Sequence, residues 1–237
     1  MNFLPTMKQL IEKALIPVGH TLYVYGGGWD DDDIKAGPEA RSIGEARGWK
    51  MFYKTQNSNY NFKNFMNCSS LGLDCTGYIG WTLYNLFNTE NNKEGFVFRS
   101  DILGEKLAEK GLGWVERAEN IDEYICGDIF FSKKHRHAYI CLGECEDKSI
   151  VLIHSSPPGV MISGTTTPEG KKGSIAQKTA NEFMNKNYPK WRIKFPCSDR
   201  GVDYLSDYDR FRFFRLIVTD PDGITLQSPS DVLRSLK

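Results

Sequence analysis

The sequence has no excess of charge of either sign, because 30 Lys and Arg balance 30 Asp and Glu. Such a chain offers no long-range attraction to nucleic acid or to an anionic membrane surface. It also lacks an apolar run of membrane-spanning length, so we expect no membrane span. Its start carries Lys8, Glu12 and Lys13, where a secretion signal needs unbroken apolar residues. We therefore expect a cytoplasmic protein, or a secreted one whose leader is absent from this sequence.

Histidine is scarce, and the cysteines show no pairing framework. There are 4 His and 6 Cys, the latter at positions 68, 75, 126, 141, 145 and 197. Cys141 and Cys145 have C-x-x-x-C spacing near His135 and His137, which is a candidate zinc pattern. The C-x-x-C knuckles typical of structural zinc are absent, however. We therefore expect buried thiols in a reducing compartment, with no metal and no cofactor.

The order of predicted elements favours one α+β domain over residues 1–237. Hydrophobic residues make up 40% of the chain, enough for a real core. The pattern predicts helices at 7–15, 75–87, 99–110 and 174–186, and strands in "GDIFFS", "RHAYICLG", "SIVLIHSS", "GVMIS" and "RFRFFRLIVT". Helices followed by neighbouring strands predict a mostly antiparallel sheet. Two long polar stretches, about 28–70 and 163–207, are interpreted as insertions.

The stretch "LGLDCTGYIGW" places Cys75 at the start of the apolar helix. Unpaired amide N–H groups and the positive dipole end favour a thiolate there, which a nucleophile requires. Gly77 and Gly80 each cost roughly 1 kcal/mol of helix propensity, so we expect something to approach that face closely. The alternative is a buried cysteine in a core helix.

Two histidines are candidates for the base and its orienting partner. In "RHAYICLG", alternation places His137, Tyr139 and Cys141 on one strand face, and in "SIVLIHSS", Ile150, Leu152 and His154 share a face. A hairpin that pairs Cys141 with Ile150 would also place the two histidines opposite each other. Facing a helix that begins with cysteine, they would complete a nucleophile, base and orienting group. The alternative is two unrelated histidines near a sheet end.

Four ordered motifs resemble those of the NlpC/P60 cysteine peptidases, which have a papain-like fold. The D-C-S-G motif of that family is similar to "DCTGYIGW" at 74–81, and its Y-x-W-G-G is similar to "YVYGG" at 23–27. "GDIFF" at 127–131 resembles the family's G-D-hydrophobic-x-F strand, and "HAYICLG" at 137–143 resembles its H-x-G-I-x-x-G. The order of cysteine, histidine and later polar residue also agrees, with His154 in the third place.

This resemblance implies a papain-like fold and hydrolysis of a peptide or amide through a thioester acyl-enzyme. Cys75 would attack the carbonyl, His137 would be the base and His154 would orient it. The Cys75 N–H and the Tyr23 hydroxyl would stabilise the oxyanion. Asp74 would hold a free amino terminus or cap the helix, or do both. The substrates implied are small bacterial cell-wall peptides of the γ-D-glutamyl-diamino acid type, including muropeptides.

The sequence also departs from the family pattern. Thr76 replaces the usual serine, and Tyr139 replaces a glycine, so its ring could narrow or block the cleft. Residues 28–74 replace a short link, and no SH3-like or LysM-like module is present. We expect both insertions to flank the cleft and to set the substrate.

Three functional hypotheses and one rival base stay open. The chain could be an NlpC/P60-type peptidase, a CHAP-type amidase or acyltransferase on the same scaffold, or a catalytically retired binding domain. His135 alternates onto the face of His137 and is the rival base.

Overall fold

The computed structural model describes residues 4–66, 68–196 and 199–236, which leaves Cys197 outside the described residues. In these ranges the α helices are α1 Met7–Leu15, α2 Arg47–Thr55, α3 Cys75–Phe87, α4 Leu103–Glu109, α5 Ile175–Asn187, α6 Pro189–Lys194, α7 Asp203–Ser206 and α8 Pro229–Ser235. The strands are β1 Gly113–Glu116, β2 Ile129–Ser132, β3 His137–Glu144, β4 Ile150–Ser156, β5 Gly159–Thr165, β6 Asp199–Arg200 and β7 Asp209–Phe213.

The strands form one seven-stranded sheet in the order β1-β7-β2-β3-β4-β5-β6. Every neighbouring pair is antiparallel except β5 and β6, which run parallel. The prediction of an α+β fold with a mostly antiparallel sheet is therefore confirmed. Within the described ranges, no helix is long and apolar enough to cross a bilayer.

Helix α3 is the central buried helix, with the bounds predicted from the sequence. It begins after Asp74, whose side chain accepts a hydrogen bond from the Gly77 N–H. Apolar residues surround the helix, so it is buried on nearly all sides. Its buried side chains share one core with those of α1, which begins at a capping box of Thr6 and Gln9.

A glycine loop packs directly on the first turn of α3. A Cβ atom on Gly77 would lie 1.8 Å from the Gly27 carbonyl oxygen, and one on Gly28 would lie 2.7 Å from the Gly77 Cα. The Gly27 carbonyl also accepts a hydrogen bond from the Asp74 N–H at 2.9 Å. Gly80 lies equally close to Val97, 2.4 Å from it by the same measure. The close approach expected at these two helix glycines is therefore made by the chain itself.

The two faces of β3 pack against different layers. Ala138 and Ile140 belong to the main core, together with Tyr78 of α3. Tyr139 and Cys141 point the other way and belong to a smaller apolar cluster on the opposite face of the sheet. The helix that carries Cys75 therefore covers one face, and residues near α7 cover the other.

The register between β3 and β4 differs from the one expected. Cys141 pairs with Leu152, not with Ile150, because the two strands continue further and a bulge lies between Cys141 and Gly143. A shift of two residues leaves the side chains in the same alternating groups. The group that contains His137 and His154 lies on the face away from α3, however, so the expectation that the two histidines face this helix is wrong. His137 and His154 are consequently diagonal neighbours and not directly opposed.

The two insertions contain more regular structure than expected. The first includes α2, whose Trp49 is fully buried in the main core, and short 3₁₀ turns. The expected boundary at 163 is wrong, because residues 163–165 complete β5. Residues 199–200 then return to the sheet as β6, so the second insertion is anchored to the sheet near both ends.

Candidate active site

Cys75 lies at the wall of a cleft of about 840 Å³. Other residues of that wall include Tyr23, Trp29, Phe62, Asp74, Thr76 and Arg136. The side chain is only 6% exposed, and its Sγ–H donates to the Arg136 carbonyl oxygen at 3.8 Å. The thiol also lies close to the backbone N–H of Ala138. The sulfur is therefore beside the backbone of His137, between its two neighbours.

The thiol reaches this position because β3 and β4 separate. Their pairing ends at Ile140 and Ile153, so the first residues of β3 have no partner in β4. The Leu73 carbonyl accepts a hydrogen bond from Ser155 Oγ of β4 at 2.6 Å. Two residues later, Cys75 contacts the chain at the start of β3. The start of α3 thus enters the gap between the separated strand ends.

The structure places the two predicted histidines in contact. His137 Nε2 lies 2.9 Å from His154 Nδ1. His154 is fully buried, and its Nε2 lies 3.1 Å from Ser163 Oγ and 3.3 Å from the Arg200 Nε–H. The ring of Tyr204 packs against both imidazoles, with centroids 5.7 Å and 5.9 Å away.

No hydrogen bond joins the Cys75 thiol to the His137 ring in this conformation. Because Nε2 of His137 is occupied by His154, Nδ1 is the one ring nitrogen through which His137 could take a proton from the thiol. The backbone of His137 lies beside the Cys75 sulfur, so its Nδ1 belongs to a residue that is already next to the thiol. The Cys75 thiol and His137 Nδ1 can form a hydrogen bond only after the side-chain torsions of these two residues change.

Burial controls the protonation of all three groups. It raises the pKa of the Cys75 thiol well above its ordinary value, and the charge of Asp74 adds to this effect. It lowers the pKa of His137 to about 3 and that of His154 well below its ordinary range, with the Arg200 charge acting in the same direction. In this conformation desolvation therefore opposes the thiolate that the helix N terminus was expected to favour. The direction of each shift favours the neutral form of the thiol and of both imidazoles.

Asp74 is the N-cap of α3 and also part of the cleft wall. One carboxylate oxygen accepts hydrogen bonds from the Gly77 N–H at 2.6 Å and from Thr76 Oγ1 at 3.1 Å. Trp29 Nε1 in turn donates to Thr76 Oγ1 at 3.2 Å. Burial raises the pKa of Asp74 to about 6, although these hydrogen bonds oppose the rise. The Thr76 hydroxyl therefore orients the Asp74 carboxylate in addition to lining the cleft.

Tyr23 lies on the same wall. Its carbonyl oxygen accepts a hydrogen bond from the Tyr60 hydroxyl at 2.6 Å, and its ring packs edge-on against Phe62 at 5.2 Å. Burial raises the pKa of Tyr23 far above its ordinary value, and the charges of Cys75 and Asp74 add to this effect. The hydroxyl group therefore stays protonated and available as a donor near the sulfur.

Two sequence-based expectations need correction. Tyr139 does not narrow the cleft: it is fully buried on the other face of the sheet, stacked on Phe130 at 5.0 Å. Its hydroxyl donates to the Tyr204 carbonyl at 2.7 Å, because strand alternation points the ring away from α3. His135 lies in the turn before β3, where its Nε2 is 2.8 Å from Asp207 and not at the thiol.

Arg200 and Ser163 are the contacts of the histidine pair that sequence reasoning missed. Ser163 had a signal, since β5 alternation places it on the same sheet face as His154. Arg200 had none, because it lies in a polar stretch without periodicity. Its position depends on the parallel pairing of Thr165 with Arg200, which no local sequence pattern predicts.

The described residues contain no cluster of three or more His, Cys, Asp or Glu placed to hold a metal ion. The cysteines at 68, 75, 126, 141 and 145 form no disulfide, and neither the C-x-x-x-C pair nor the nearby histidines belong to such a cluster. The run Asp30–Asp33 forms a turn in which Asp30 accepts from the Ile34 N–H.

No protein-family model, curated protein or solved structure matches this chain.

Proposed function

We propose that the protein is a cysteine peptidase or amidase that hydrolyses small peptides through a thioester on Cys75. The observation that carries the proposal is the 2.9 Å contact of His137 Nε2 with His154 Nδ1, beside the strand end that receives the Cys75 thiol. A histidine held through one nitrogen by a second polar group, with its other nitrogen on the side of a thiol, is the framework that nucleophilic catalysis uses.

In the proposed reaction, His137 Nδ1 takes the thiol proton as the sulfur attacks the substrate carbonyl carbon. The resulting imidazolium donates its Nε2–H to His154, then returns the Nδ1 proton to the leaving amine as the C–N bond breaks. Water next attacks the thioester and gives a proton to Nδ1. Release of the carboxylic acid restores the thiol and the neutral imidazole.

The developing oxyanion has two candidate donors. The Cys75 N–H lies in the first turn of α3, where backbone N–H groups have no partner within the helix. The protonated Tyr23 hydroxyl lies on the same cleft wall. Donors of this kind typically contribute a factor of about 10² to 10³ each to the rate.

Asp74 gives the proposal its substrate class. An ionised carboxylate next to the nucleophile can pair with an ammonium group on the residue before the scissile bond. This favours small peptides with a free amino end, and the NlpC/P60 resemblance favours cell-wall peptides of the γ-D-glutamyl-diamino acid type, or muropeptides. Trp29 and Phe62 of the first insertion would contact that substrate, since both line the cleft. A CHAP-type amidase or acyltransferase would use the same Cys75 and His137.

A second candidate function is peptide binding without catalysis. Two observations favour it: the thiol is buried with a raised pKa, and no hydrogen bond joins it to His137. A retired site would keep the cleft and lose the need for a reactive thiol.

The test is hydrolysis of synthetic γ-D-glutamyl-diamino acid peptides, each with a free or an acetylated amino terminus. The wild type should cut the free-amine forms, and Cys75→Ala should lose at least about 10⁴-fold in kcat/KM, as removal of a nucleophile does. Cys126→Ala, at another buried thiol, is the matched control and should keep its activity. Binding of these peptides without any hydrolysis by the wild type would favour the retired site. Equal cleavage of acetylated peptides would favour the broader amidase.

A further inference from the structure

Arg200 reaches the histidine pair from the second insertion. It lies in β6, and its Nε–H donates to His154 Nε2 at 3.3 Å while its Nη2 lies 3.7 Å from Met161 Sδ. The Arg200 guanidinium forms no ion pair with a carboxylate in the part of the chain that the structure describes. Its side chain instead contacts a buried imidazole and the Tyr204 side chain.

This contact determines where the ring protons lie. A guanidinium can only donate, so His154 Nε2 must be the acceptor and the His154 proton lies on Nδ1. His154 Nδ1–H then donates to His137 Nε2, which lies 2.9 Å away. The single proton of neutral His137 consequently lies on Nδ1. In this state His137 cannot accept a proton from Cys75, because its remaining nitrogen is already protonated.

Arg200 also lines a separate recess of about 530 Å³. Lys194 is the second cation there. Its Nζ donates to the carbonyl oxygens of Tyr53 and Gln56 and lies 4.2 Å from the centroid of the Tyr53 ring, with no carboxylate partner among the described residues. Two cations without a carboxylate partner make this recess complementary to an anion. Phe62 lines both this recess and the Cys75 cleft, so one peptide can contact both.

We infer that Arg200 is a specificity-determining residue, which couples the binding of a substrate carboxylate in this recess to the activation of His137. The inference rests on the proposed function. A carboxylate that accepts the Arg200 Nε–H leaves His154 Nε2 free to take a proton from water and to donate it to Ser163 Oγ. The His154 Nδ1 proton then shifts to His137 Nε2, and His137 Nδ1 releases its own proton to water. The number of bound protons is unchanged, and Nδ1 of His137 becomes the base.

Long-range ¹H–¹⁵N correlation spectra of the histidine rings test this directly, because they show which nitrogen carries the proton. In the unliganded wild type, both His137 and His154 should be protonated on Nδ1. In Cys75→Ala, which cannot turn over, N-acetylalanine should move both protons to Nε2, and N-acetylalanine amide should not. An Nε2–H tautomer of His137 in the unliganded wild type would overturn the inference, as would an equal response to the acid and the amide.

Variants separate the roles of the two cations. Arg200→Met should show the Nε2–H tautomer without any ligand, and Ser163→Ala should keep the Nδ1–H tautomer because Arg200 is still present. Lys194→Met should keep the resting tautomer and need on the order of tenfold more N-acetylalanine for the switch. Arg234→Met, on the exposed end of α8, is the matched control and should behave as the wild type. A resting Nδ1–H tautomer in folded Arg200→Met would contradict the inference.

Turnover then distinguishes this inference from the proposed function. Arg200→Met should lose the preference for a free carboxylate end over its amide by about tenfold to a hundredfold in kcat/KM. A tautomer switch in a protein that hydrolyses nothing would contradict the proposed function and leave the switch intact. Hydrolysis that depends on Cys75, without any carboxylate-driven switch, would support the proposed function and contradict the role inferred for Arg200.

Discussion

The two faces of β3 hold the two halves of the candidate site in different ways. On the face of Ala138 and Ile140, α3 is fixed by main-chain contacts, since Gly27 and Gly77 approach too closely for any side chain. On the opposite face, the imidazole of His137 is held by polar and aromatic side chains. The helix that carries the proposed nucleophile Cys75 is therefore placed by backbone packing, while the protonation state of the proposed base His137 depends on side chains that can exchange partners.

This difference also explains where the site can form. A sheet separates the groups on its two faces, so a thiol from one layer and an imidazole from the other can meet only at a strand end. β3 and β4 provide that end, because their pairing stops at Ile140 and Ile153. The point where this pairing stops therefore positions the candidate site as well as shaping the fold.

The strongest test of the comparison changes the base and its neighbours one at a time. His137→Ala should lower kcat/KM by about 10⁴-fold, and the loss in His154→Ala should be smaller by one to two orders of magnitude, as for an orienting group. His135→Ala, at the turn before β3, is the control and should keep wild-type activity. Steady-state kinetics on the free-amine peptides measure all three. A larger loss in His135→Ala than in His137→Ala would identify His135 as the base.

Asp74 tests the rigid side of the site. Asparagine caps a helix about as well as aspartate, so Asp74→Asn should change the free energy of unfolding by less than about 1 kcal/mol. It should nevertheless reduce the preference for free over acetylated amino termini by at least about tenfold, because the ion pair is lost.

The pH dependence gives a second readout for Asp74. Since its pKa is raised to about 6, the carboxylate forms as the pH rises through 6, and the wild-type preference for the free amine should rise between pH 5 and 7. Asp74→Asn should show a flat profile. The same rise in the mutant would assign the titration to another group.

Acid stability tests the side-chain half. The folded protein keeps His137 and His154 neutral, whereas the unfolded chain binds protons below about pH 6.5. Their contribution to stability is therefore present above that pH and is lost as the pH falls toward about 3. As the pH falls, each histidine should lower the free energy of unfolding by up to about 1.4 kcal/mol per pH unit, because the unfolded chain binds its proton more readily. Urea unfolding of His154→Gln between pH 7 and 4.5 should show a shallower decline than the wild type, and equal slopes would contradict this account.

Tyr139 should give the smallest effect. Tyr139→Phe loses one hydrogen bond to the Tyr204 carbonyl, so we expect a loss of about 1 kcal/mol in the free energy of unfolding. Activity should stay within about twofold, because the ring is on the face away from the cleft. A large loss of activity with little change in stability would indicate that the Tyr139 side chain contributes to the cleft.

Much of the fold was accessible from the sequence where local patterns were strong. The all-round apolar stretch predicted α3 at Cys75–Phe87, and strand alternation correctly grouped the residues that share a face of β3 and of β4. It did not show which face lies against α3, and the histidine face is the one away from that helix. Helix α2 was missed although Trp49, Phe52 and Tyr53 have helical spacing, because the surrounding residues are polar. Strand β1 was also missed, since it is short and half exposed.

The site was less accessible because its decisive contacts are long-range. The histidine contact followed from alternation even with a wrong register, since a two-residue shift preserves the face. Protonation states did not follow, because burial depends on the whole core and here outweighs the helix dipole at Cys75. Nor did Arg200, whose position requires a parallel strand pair between segments 35 residues apart, from Thr165 to Arg200.

Single-turnover acylation tests the two proposed roles together, Cys75 as the nucleophile and His137 as its base. Excess enzyme is mixed with a free-amine γ-D-glutamyl peptide, quenched in acid and mapped by mass spectrometry. We expect an acyl group on Cys75 of the wild type at early times, and an adduct that forms about 10² to 10⁴ times more slowly in His137→Ala. Equal rates of Cys75 acylation in the two proteins, or hydrolysis without an adduct on Cys75, would contradict it.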